Sequence, residues 1–506
     1  MPSKLASNSQ KYGLRDPRKI PIPGPGGLVR GAWLGDAEDM RKVAWFNTET
    51  RTGRYLRTLG SSLILFGSAT LYSLGVVPMV LLFEDASTLG LWILISQIGI
   101  WLGALDLGLS ASSVRFFVNP VARHDIRGLQ GRFQATLWLA AAQGAIIAFL
   151  GFSGAFLAQL FSIPEQQLNL FCQLYFTQCM VSGFSFLSRP FASILLAAQR
   201  FEFNYLGNAA SFLVSLALAW VGLQQGWGLW SLMAGSVLQY ALSVVLSVYG
   251  VYRLGFLPGL FGAPASLGGL VQRIVHESLS FAIGPLATMA GGILQSAFLS
   301  RIFGLETVAV WNVGVKAATV LTQILSKFFE SSFSGLSELW ETGRRDRMFD
   351  RFGQLLGWSL VLSGALALIL LFANDPFIRI WTNGEIHWPI YGTFAVSLML
   401  VVGTLHRALL ELTKVLVLWN PIRLSPLFDL GTMILCLLAA YAATGFPAFL
   451  SAAAVGPFLG GLLMNMHALR RASGRSIAEL VPSKTRLIFL LLVAGCLLAA
   501  GWIYFR

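Results

Sequence analysis

The sequence predicts an all-α polytopic membrane protein with about 12–14 transmembrane helices. Of the 506 residues, 55% are hydrophobic and only 12% are charged, whereas soluble domains carry roughly 25% charged residues. A chain this poor in charge cannot cover its own surface in water, so lipid must cover much of it. The apolar stretches run for about twenty residues without the alternation of barrel strands, which favours helices.

The first 54 residues differ in composition from the rest of the chain. Residues 1–54 are basic and rich in Pro and Gly, which predicts a cytoplasmic tail. Length and hydropathy then predict six spans in the first half, at 58–83, 88–110, 134–160, 168–198, 204–222 and 228–252. The second half is predicted to contain spans at 277–299, 305–329, 354–374, 388–412, 424–443, 446–468 and, as a thirteenth, 486–504.

The spans group into two halves with a weak internal repeat. Span 2 contains LGLWILISQIGIWL and span 8 contains ETVAVWNVGVKAATVL, and aligning Trp92 with Trp311 places Gln97 opposite Lys316. Two pseudo-symmetric six-helix bundles are a common transporter architecture. The predicted division is an N-terminal bundle at 55–253, a linker at 254–276, a C-terminal bundle at 277–470, and a cytoplasmic loop with an extra helix at 471–506.

The basic residues follow the predicted topology. With a cytoplasmic N-terminus and alternating spans, 30 of the 36 Lys and Arg residues face the cytoplasm, three lie on the other side and three lie within spans. The net charge of +13 is therefore explained by topology and by contact with anionic membrane lipids. This predicts the cell inner membrane as the location and argues against nucleic acid as a partner.

Lys316 is the sharpest candidate for a functional residue, because ionisable groups at membrane depth are costly. Eleven residues into its span, a helical rise of 1.5 Å per residue puts it roughly 16 Å deep, near the midplane. Asn312 and Thr319 share its helical face. The functional interpretation is a cavity cation for an anionic substrate, with Asn312 and Gln97 beside it. The alternative is a buried pair with an acid on another helix.

The other ionisable residues within or near spans allow two interpretations each. Arg189 precedes Pro190, which predicts a kink, and it either holds a phosphate in a cavity or extends to the cytoplasmic interface. His406, Arg407 and Glu411 form a cluster that can neutralise itself with Lys414. His406 is also the natural proton carrier if one is used. The remaining two acids are predicted to lie near helix ends in contact with basic groups: Asp106 and Asp429.

Several motifs typical of nucleotide-binding proteins, hydrolases and metalloenzymes are missing from the sequence. It contains no Walker A motif, no G-x-S-x-G, no H-E-x-x-H and no metal-spaced Cys/His cluster. The four cysteines lie in apolar segments, where small buried residues are expected. We therefore expect no enzymatic activity, no bound metal and no cofactor.

Four segments resemble the polysaccharide flippases of the O-antigen translocase (Wzx) type, which belong to the MATE-like MOP superfamily. WLGALDLGLSASSVRFF and ILLAAQRFEFNYLGNAAS resemble the first half of that family, and LVQRIVHESLSFAIGPLATMAGGI and FGLETVAVWNVGVKAATVL resemble the second. The matches lie within residues 58–470. The family has twelve or fourteen spans, so thirteen is a departure, as is the long basic tail.

The resemblance implies export of undecaprenyl-pyrophosphate-linked oligosaccharide or polysaccharide repeat units by alternating access. The resemblance also implies a cationic lumen, and Lys316 and Arg189 lie at suitable positions in the sequence to line it. It further implies polysaccharide-assembly proteins as partners. A MATE-type multidrug or metabolite antiporter shares the fold, but such proton-coupled exporters usually carry an acid in span 1, which is missing here. A membrane-embedded glycan polymerase or ligase would need larger outer loops. An assembly scaffold is the non-transport alternative.

Overall fold

The computed structural model describes residues 51–262, 268–442, 446–474 and 476–504. Within these ranges the regular structure is entirely helical, which confirms the predicted fold class. The predicted tail at 1–54 lies almost wholly outside the described residues.

The helices of the first half are α1 (Arg51–Leu81), α2 (Ala86–Ala104), α3 (Leu109–Ala122), α4 (Ile126–Leu150), α5 (Gly154–Leu160), α6 (Glu165–Phe186), α7 (Arg189–Ala197), α8 (Phe201–Gln224), α9 (Leu229–Arg253) and the single turn α10 (Leu257–Leu260). Those of the second half are α11 (Gly268–Phe303), α12 (Leu305–Gly314), α13 (Lys316–Glu341), α14 (Arg345–Trp381), α15 (Ile390–Val415), α16 (Trp419–Ala442), α17 (Phe446–Ser473), α18 (Ile477–Leu480) and α19 (Ser483–Tyr504).

In the described part of the chain, ten helices are long and apolar enough to cross a membrane, and twelve spans result if each of two bent helix pairs counts as one. The pair α6 and α7 bends by 41° directly before Pro190, as the sequence predicts. The pair α12 and α13 bends by 43° at Val315. Predicted span 13 lies within the 22-residue helix α19, which is not one of these twelve.

Most contacts between helices fall within one half of the chain, and we call helices α1 to α10 the first set and helices α11 to α19 the second set. Helix α12 is the exception, because the helix that it contacts most is α2 of the first set. The two sets meet where α2, α3 and α4 contact α11 and where α2 contacts α12. The predicted linker at 254–276 contains α10 and the first turns of α11. Helix α19 packs along α14.

The break between α2 and α3 explains the D-L-G-L segment. The backbone turns through left-handed conformations at Leu107 (φ 49°) and Gly108 (φ 78°), and glycine accepts that conformation without strain. The Asp106 carboxylate then accepts hydrogen bonds from both the backbone N–H and the hydroxyl of Ser110, at 2.9 Å each. The motif therefore encodes a sharp helix break with a side-chain cap on the next helix.

Large apolar side chains cover the outer surface as well as the interior. Trp92 of α2 and Trp311 of α12 are buried in one apolar core that includes both helix sets. In contrast, Phe149 and Leu435 are 73% and 67% exposed on helices long enough to span a bilayer. Such exposed apolar surface is stable only against lipid. The chain is a multi-pass membrane protein.

Candidate functional site

A cavity of about 470 Å³ lies between the two helix sets, and we call it the central cavity. Its lining comes from α1, α2 and α8 on one side and from α12 and α13 on the other. The lining is mainly apolar and aromatic, with a few hydroxyl and amide groups. The polar and aromatic residues of the lining are Phe66, Thr70, Tyr72, Ser73, Trp92, Ser96, Gln97, Phe212, Asn312, Lys316, Thr319 and Gln323.

Lys316 is the one charged side chain among the described residues that line the central cavity. It is partly buried, and no ion pair or hydrogen bond involves it within the described ranges. Asn312 and Thr319 line the same cavity, as their shared helical face predicts. The arrangement is a lone ammonium group in an otherwise uncharged chamber. The alternative of an ion pair with an acid on another helix has no support in the described part of the structure.

Gln97 connects the two helix sets beside Lys316. Its amide nitrogen donates to Asn312 Oδ1 at 2.8 Å, and its amide oxygen accepts from the Ser296 hydroxyl at 2.6 Å. Asn312 in turn donates to the carbonyl of Val308 at 2.8 Å. Gln97 lies on α2, whereas Ser296 lies on α11 and Asn312 on α12. One side chain thus bridges the first set to two helices of the second.

The bend that presents Lys316 depends on Gly314. A Cβ atom at that position would overlap the indole ring of Trp388, so only glycine fits against the ring. The Gly314 carbonyl, at the end of α12, accepts a hydrogen bond from the Asn374 amide of α14 at 3.2 Å. This side chain satisfies a backbone oxygen that would otherwise be costly to leave unpaired in the bilayer. Lys316 is the first residue of α13 after the bend.

Arg189, predicted to hold a phosphate in a cavity or to extend to the cytoplasmic interface, is not among the residues that line the central cavity. The structure places Arg189 at the α6–α7 break, where its guanidinium lies 2.6 Å from the Asp106 carboxylate. It also donates to the carbonyl of Gly103 and lies over the Phe186 ring, 3.6 Å from the centroid. The pair joins the break between α2 and α3 to the break between α6 and α7, and Gln143 of α4 donates to the Asp106 carbonyl at 3.0 Å. Arg189 is therefore neutralised in a structural junction.

A second cavity, of about 490 Å³, lies among α11, α15, α16 and α17, and we call it the second-bundle cavity. His406 of α15 and Asp429 of α16 meet there, with His406 Nε2 3.4 Å from Asp429 Oδ2. The sequence suggests that Asp429 is a helix-end residue near basic groups. The structure instead buries it against a histidine, with its side chain only 14% exposed.

The remaining members of the predicted cluster on α15 separate from one another. Glu411 pairs with Lys414 at 2.5 Å, as their spacing allows. Arg407 is exposed and lines the second-bundle cavity. No Arg407–Glu411 pair forms among the described residues, because Glu411 turns to Lys414 instead.

Several functional-site residues could not be recognised from the sequence. Ser296, Asn374 and Trp388 are ordinary residues of apolar spans, and only packing brings them to Gln97 and Gly314. In the part of the chain that the structure describes, no cluster of three or more His, Cys, Asp or Glu side chains has the geometry of a metal site. All four cysteines are free thiols.

Known proteins resemble this chain in fold and not in sequence. No family model matches the sequence, and neither does any curated protein. Solved structures do match. An inward-facing multidrug resistance MATE family transporter of the MOP superfamily superposes with a TM-score of 0.64 at 13% identity, covering 80% of this chain and 94% of that one. The chain has the fold of the MATE transporters.

Two further structures share the fold. The lipid II flippase MurJ, in an inward closed conformation, gives a TM-score of 0.61 at 12% identity and covers 88% of this chain and 98% of that one. A mutant form of the Vibrio cholerae MATE transporter VcmN gives 0.57 at 13% identity, with coverage of 83% and 98%. At these identities the likeness concerns the fold, so the substrate must be argued from the cavity.

Proposed function

We propose that this protein is a flippase that moves a lipid-linked, anionic glycan across the membrane through the central cavity. The observation that carries the proposal is the unpaired Lys316 in a chamber whose described lining holds no other charge. Even a partly buried cation is costly inside a membrane protein when it has no partner. A site that keeps one is expected to bind an anion, which offsets that cost.

The rest of the lining suits a glycosylated phosphate. The hydroxyl and amide groups of Ser73, Ser96 and Gln323 can exchange hydrogen bonds with sugar hydroxyls, and the aromatic rings of Tyr72 and Phe212 offer apolar surface to sugar rings. A polyprenyl chain would remain in lipid at the gap between the helix sets while the headgroup passes through the cavity. Alternating access of the two sets provides the movement.

The substrate that we propose is an undecaprenyl-pyrophosphate-linked oligosaccharide or polysaccharide repeat unit of the kind used for O-antigen, lipopolysaccharide or exopolysaccharide. The support is the resemblance of four segments to O-antigen translocases and the shared fold with a protein named as a lipid II flippase. The protein would act in the cell inner membrane, with a cytoplasmic N-terminus, beside polysaccharide-assembly proteins. The distribution of basic residues supports this orientation.

The charge of the cavity distinguishes this function from drug export. An exporter of cationic drugs needs a carboxylate to attract its substrate, and the described lining of the central cavity contains no Asp or Glu. A lysine at the same place would repel a cation. Multidrug transport therefore has the support of the fold but not of the cavity.

The test is binding of a short-chain polyprenyl diphosphate to the purified protein in nanodiscs. Because a charge-assisted hydrogen bond contributes about 1.5–3 kcal/mol, Lys316→Ala should weaken binding by about ten- to a hundredfold. Lys316→Arg should retain part of the affinity, because the charge survives with a different shape. Lys316→Glu should bind no better than the alanine variant.

The matched control is Lys327→Ala. Lys327 lies on the same helix, where it is half-exposed and pairs with Glu330 at 2.6 Å. This variant should bind the diphosphate as the wild type does. Wild-type affinity in a stably folded Lys316→Ala protein would contradict the proposal, and so would tighter binding of a lipophilic cation than of the diphosphate.

A further inference from the structure

The pair of His406 and Asp429 is a further ionisable feature of the interior, and neither residue lines the central cavity. The two side chains are 10% and 14% exposed, and they face each other across α15 and α16 at 3.4 Å. Asp429 Oδ1 accepts a hydrogen bond from the Gly461 N–H of α17 at 2.8 Å. A side chain at position 461 would collide with Asp429 and His406, so glycine is what lets α17 approach.

The surroundings of the pair are polar but nearly uncharged. Asn465 donates to the Ser425 hydroxyl at 3.2 Å, while its own Oδ1 is buried without a hydrogen-bond partner within the described structure. Thr288 and Gln295 of α11 face the same cavity. Arg407 is its one further charged lining residue, and it is exposed. Helices α12, α13, α14 and α19 also pack against α15, but none of their described residues lines the cavity.

We propose that His406 and Asp429 form a proton-binding site that drives transport through the central cavity. This inference rests on the proposed function, because it supplies the coupling ion for that movement. Without the proton, a carboxylate and a neutral imidazole carry one net negative charge in the membrane interior. Uptake of one proton from water gives a shared O–H···N pair with no net charge, and release on the other side restores the carboxylate. The cost of a buried charge makes the two states favour different packing of the second helix set.

The geometry favours a proton over a metal cation. Sodium and other hard cations take oxygen ligands, but here an imidazole nitrogen occupies the position opposite the carboxylate. Histidine and a carboxylate together can exchange a proton with water near neutral pH. The described residues around the pair contribute no second carboxylate.

Helix α11 provides a direct physical connection between the two cavities. Its Gln295 lines the second-bundle cavity, and the next residue, Ser296, donates to Gln97 at 2.6 Å. Gln97 in turn holds Asn312, one helical turn before Lys316. A shift of α11 caused by protonation of Asp429 would therefore change the hydrogen bonds beside the substrate cation.

Three of the four helices that enclose the cavity can respond to such a change. They contain an internal proline each: Pro285 in α11, Pro426 in α16 and Pro457 in α17. A proline removes one backbone hydrogen bond and permits a kink. Pro426 and Pro457 both line the cavity, so the pair lies where the helices bend most easily.

The first experiment detects the proton itself. Infrared difference spectra of the full-length protein in nanodiscs, recorded between neutral and acidic buffer, should show the carbonyl stretch of a protonated carboxylic acid. Asp429→Asn should remove that band, and His406→Gln should shift the pH at which it appears. Asp375→Asn, which removes an acid paired with Arg379 at the far end of α14, should leave it unchanged. A band that persists in Asp429→Asn would overturn the inference.

The second experiment measures coupling in proteoliposomes loaded with a pH-sensitive dye. In the wild type, added short-chain polyprenyl diphosphate should cause proton flux, and a pH gradient should accelerate its transport several-fold. Asp429→Asn should keep diphosphate binding and lose the whole acceleration. Acceleration by a sodium gradient instead, at constant pH, would overturn the proton site. If the wild type binds no diphosphate, the proposed function fails, while the infrared measurement still decides the proton site.

Discussion

Replacement of Arg189 is predicted to damage stability and leave substrate binding intact. The Arg189–Asp106 pair is short, at 2.6 Å, and its side chains are only 25% and 14% exposed. Loss of one partner of a buried pair costs about 3–5 kcal/mol, because the other charge is left uncompensated. Here Asp106 keeps two hydrogen bonds from Ser110, and both side chains retain some exposure. We therefore expect Arg189→Met to cost about 3 kcal/mol, including its contact with the Phe186 ring.

A double-mutant cycle separates the ion pair from the other contacts of Arg189. Asp106→Asn should cost about 2 kcal/mol alone, whereas the double variant should cost about 3 kcal/mol, well below the sum of the single effects. The assay is the free energy of unfolding from titration with SDS in mixed micelles, alongside diphosphate binding in nanodiscs. A stable Arg189→Met protein that no longer binds the diphosphate would refute this reasoning and return Arg189 to the substrate path.

Two further predictions concern local structure. Gly314→Ala should destabilise the protein by about 3 kcal/mol, because the new Cβ would overlap Trp388. Gly335→Ala, which has open space around it, should stabilise the protein by about 1 kcal/mol. Thermal unfolding in detergent compares the two variants. Asp85→Ala should cost about 1 kcal/mol, because Asp85 caps α2 through Thr88. Hydrogen bonds from the side chain and from the backbone N–H of Thr88 lower the pKa of Asp85, so the contribution of the cap is complete above the unfolded-state pKa and should vanish as pH falls through the folded-state pKa.

The sequence predicts the elements of this fold well because their signals are local. Spans of about twenty apolar residues can be located from the hydropathy of the sequence alone, and Pro190 marks the break between α6 and α7. The break at Val315 carries no such mark, because it depends on the fit of Gly314 against Trp388, 74 positions further along the chain. Part of the predicted linker at 254–276 forms the first turns of α11.

Residue composition and helical period by themselves determined that the protein is a helical membrane protein, that Lys316 lies deep within a span, and that Asn312 and Thr319 share its face. Tertiary structure alone decided which ionisable groups have partners. It joined Arg189 to Asp106, Gln97 to Asn312 and Asp429 to His406, and it left Lys316 without a partner in the described structure. The physical reason is that the free-energy cost of burying a charge depends on how deep that residue lies, whereas the interaction that offsets this cost depends on which helix packs beside the residue.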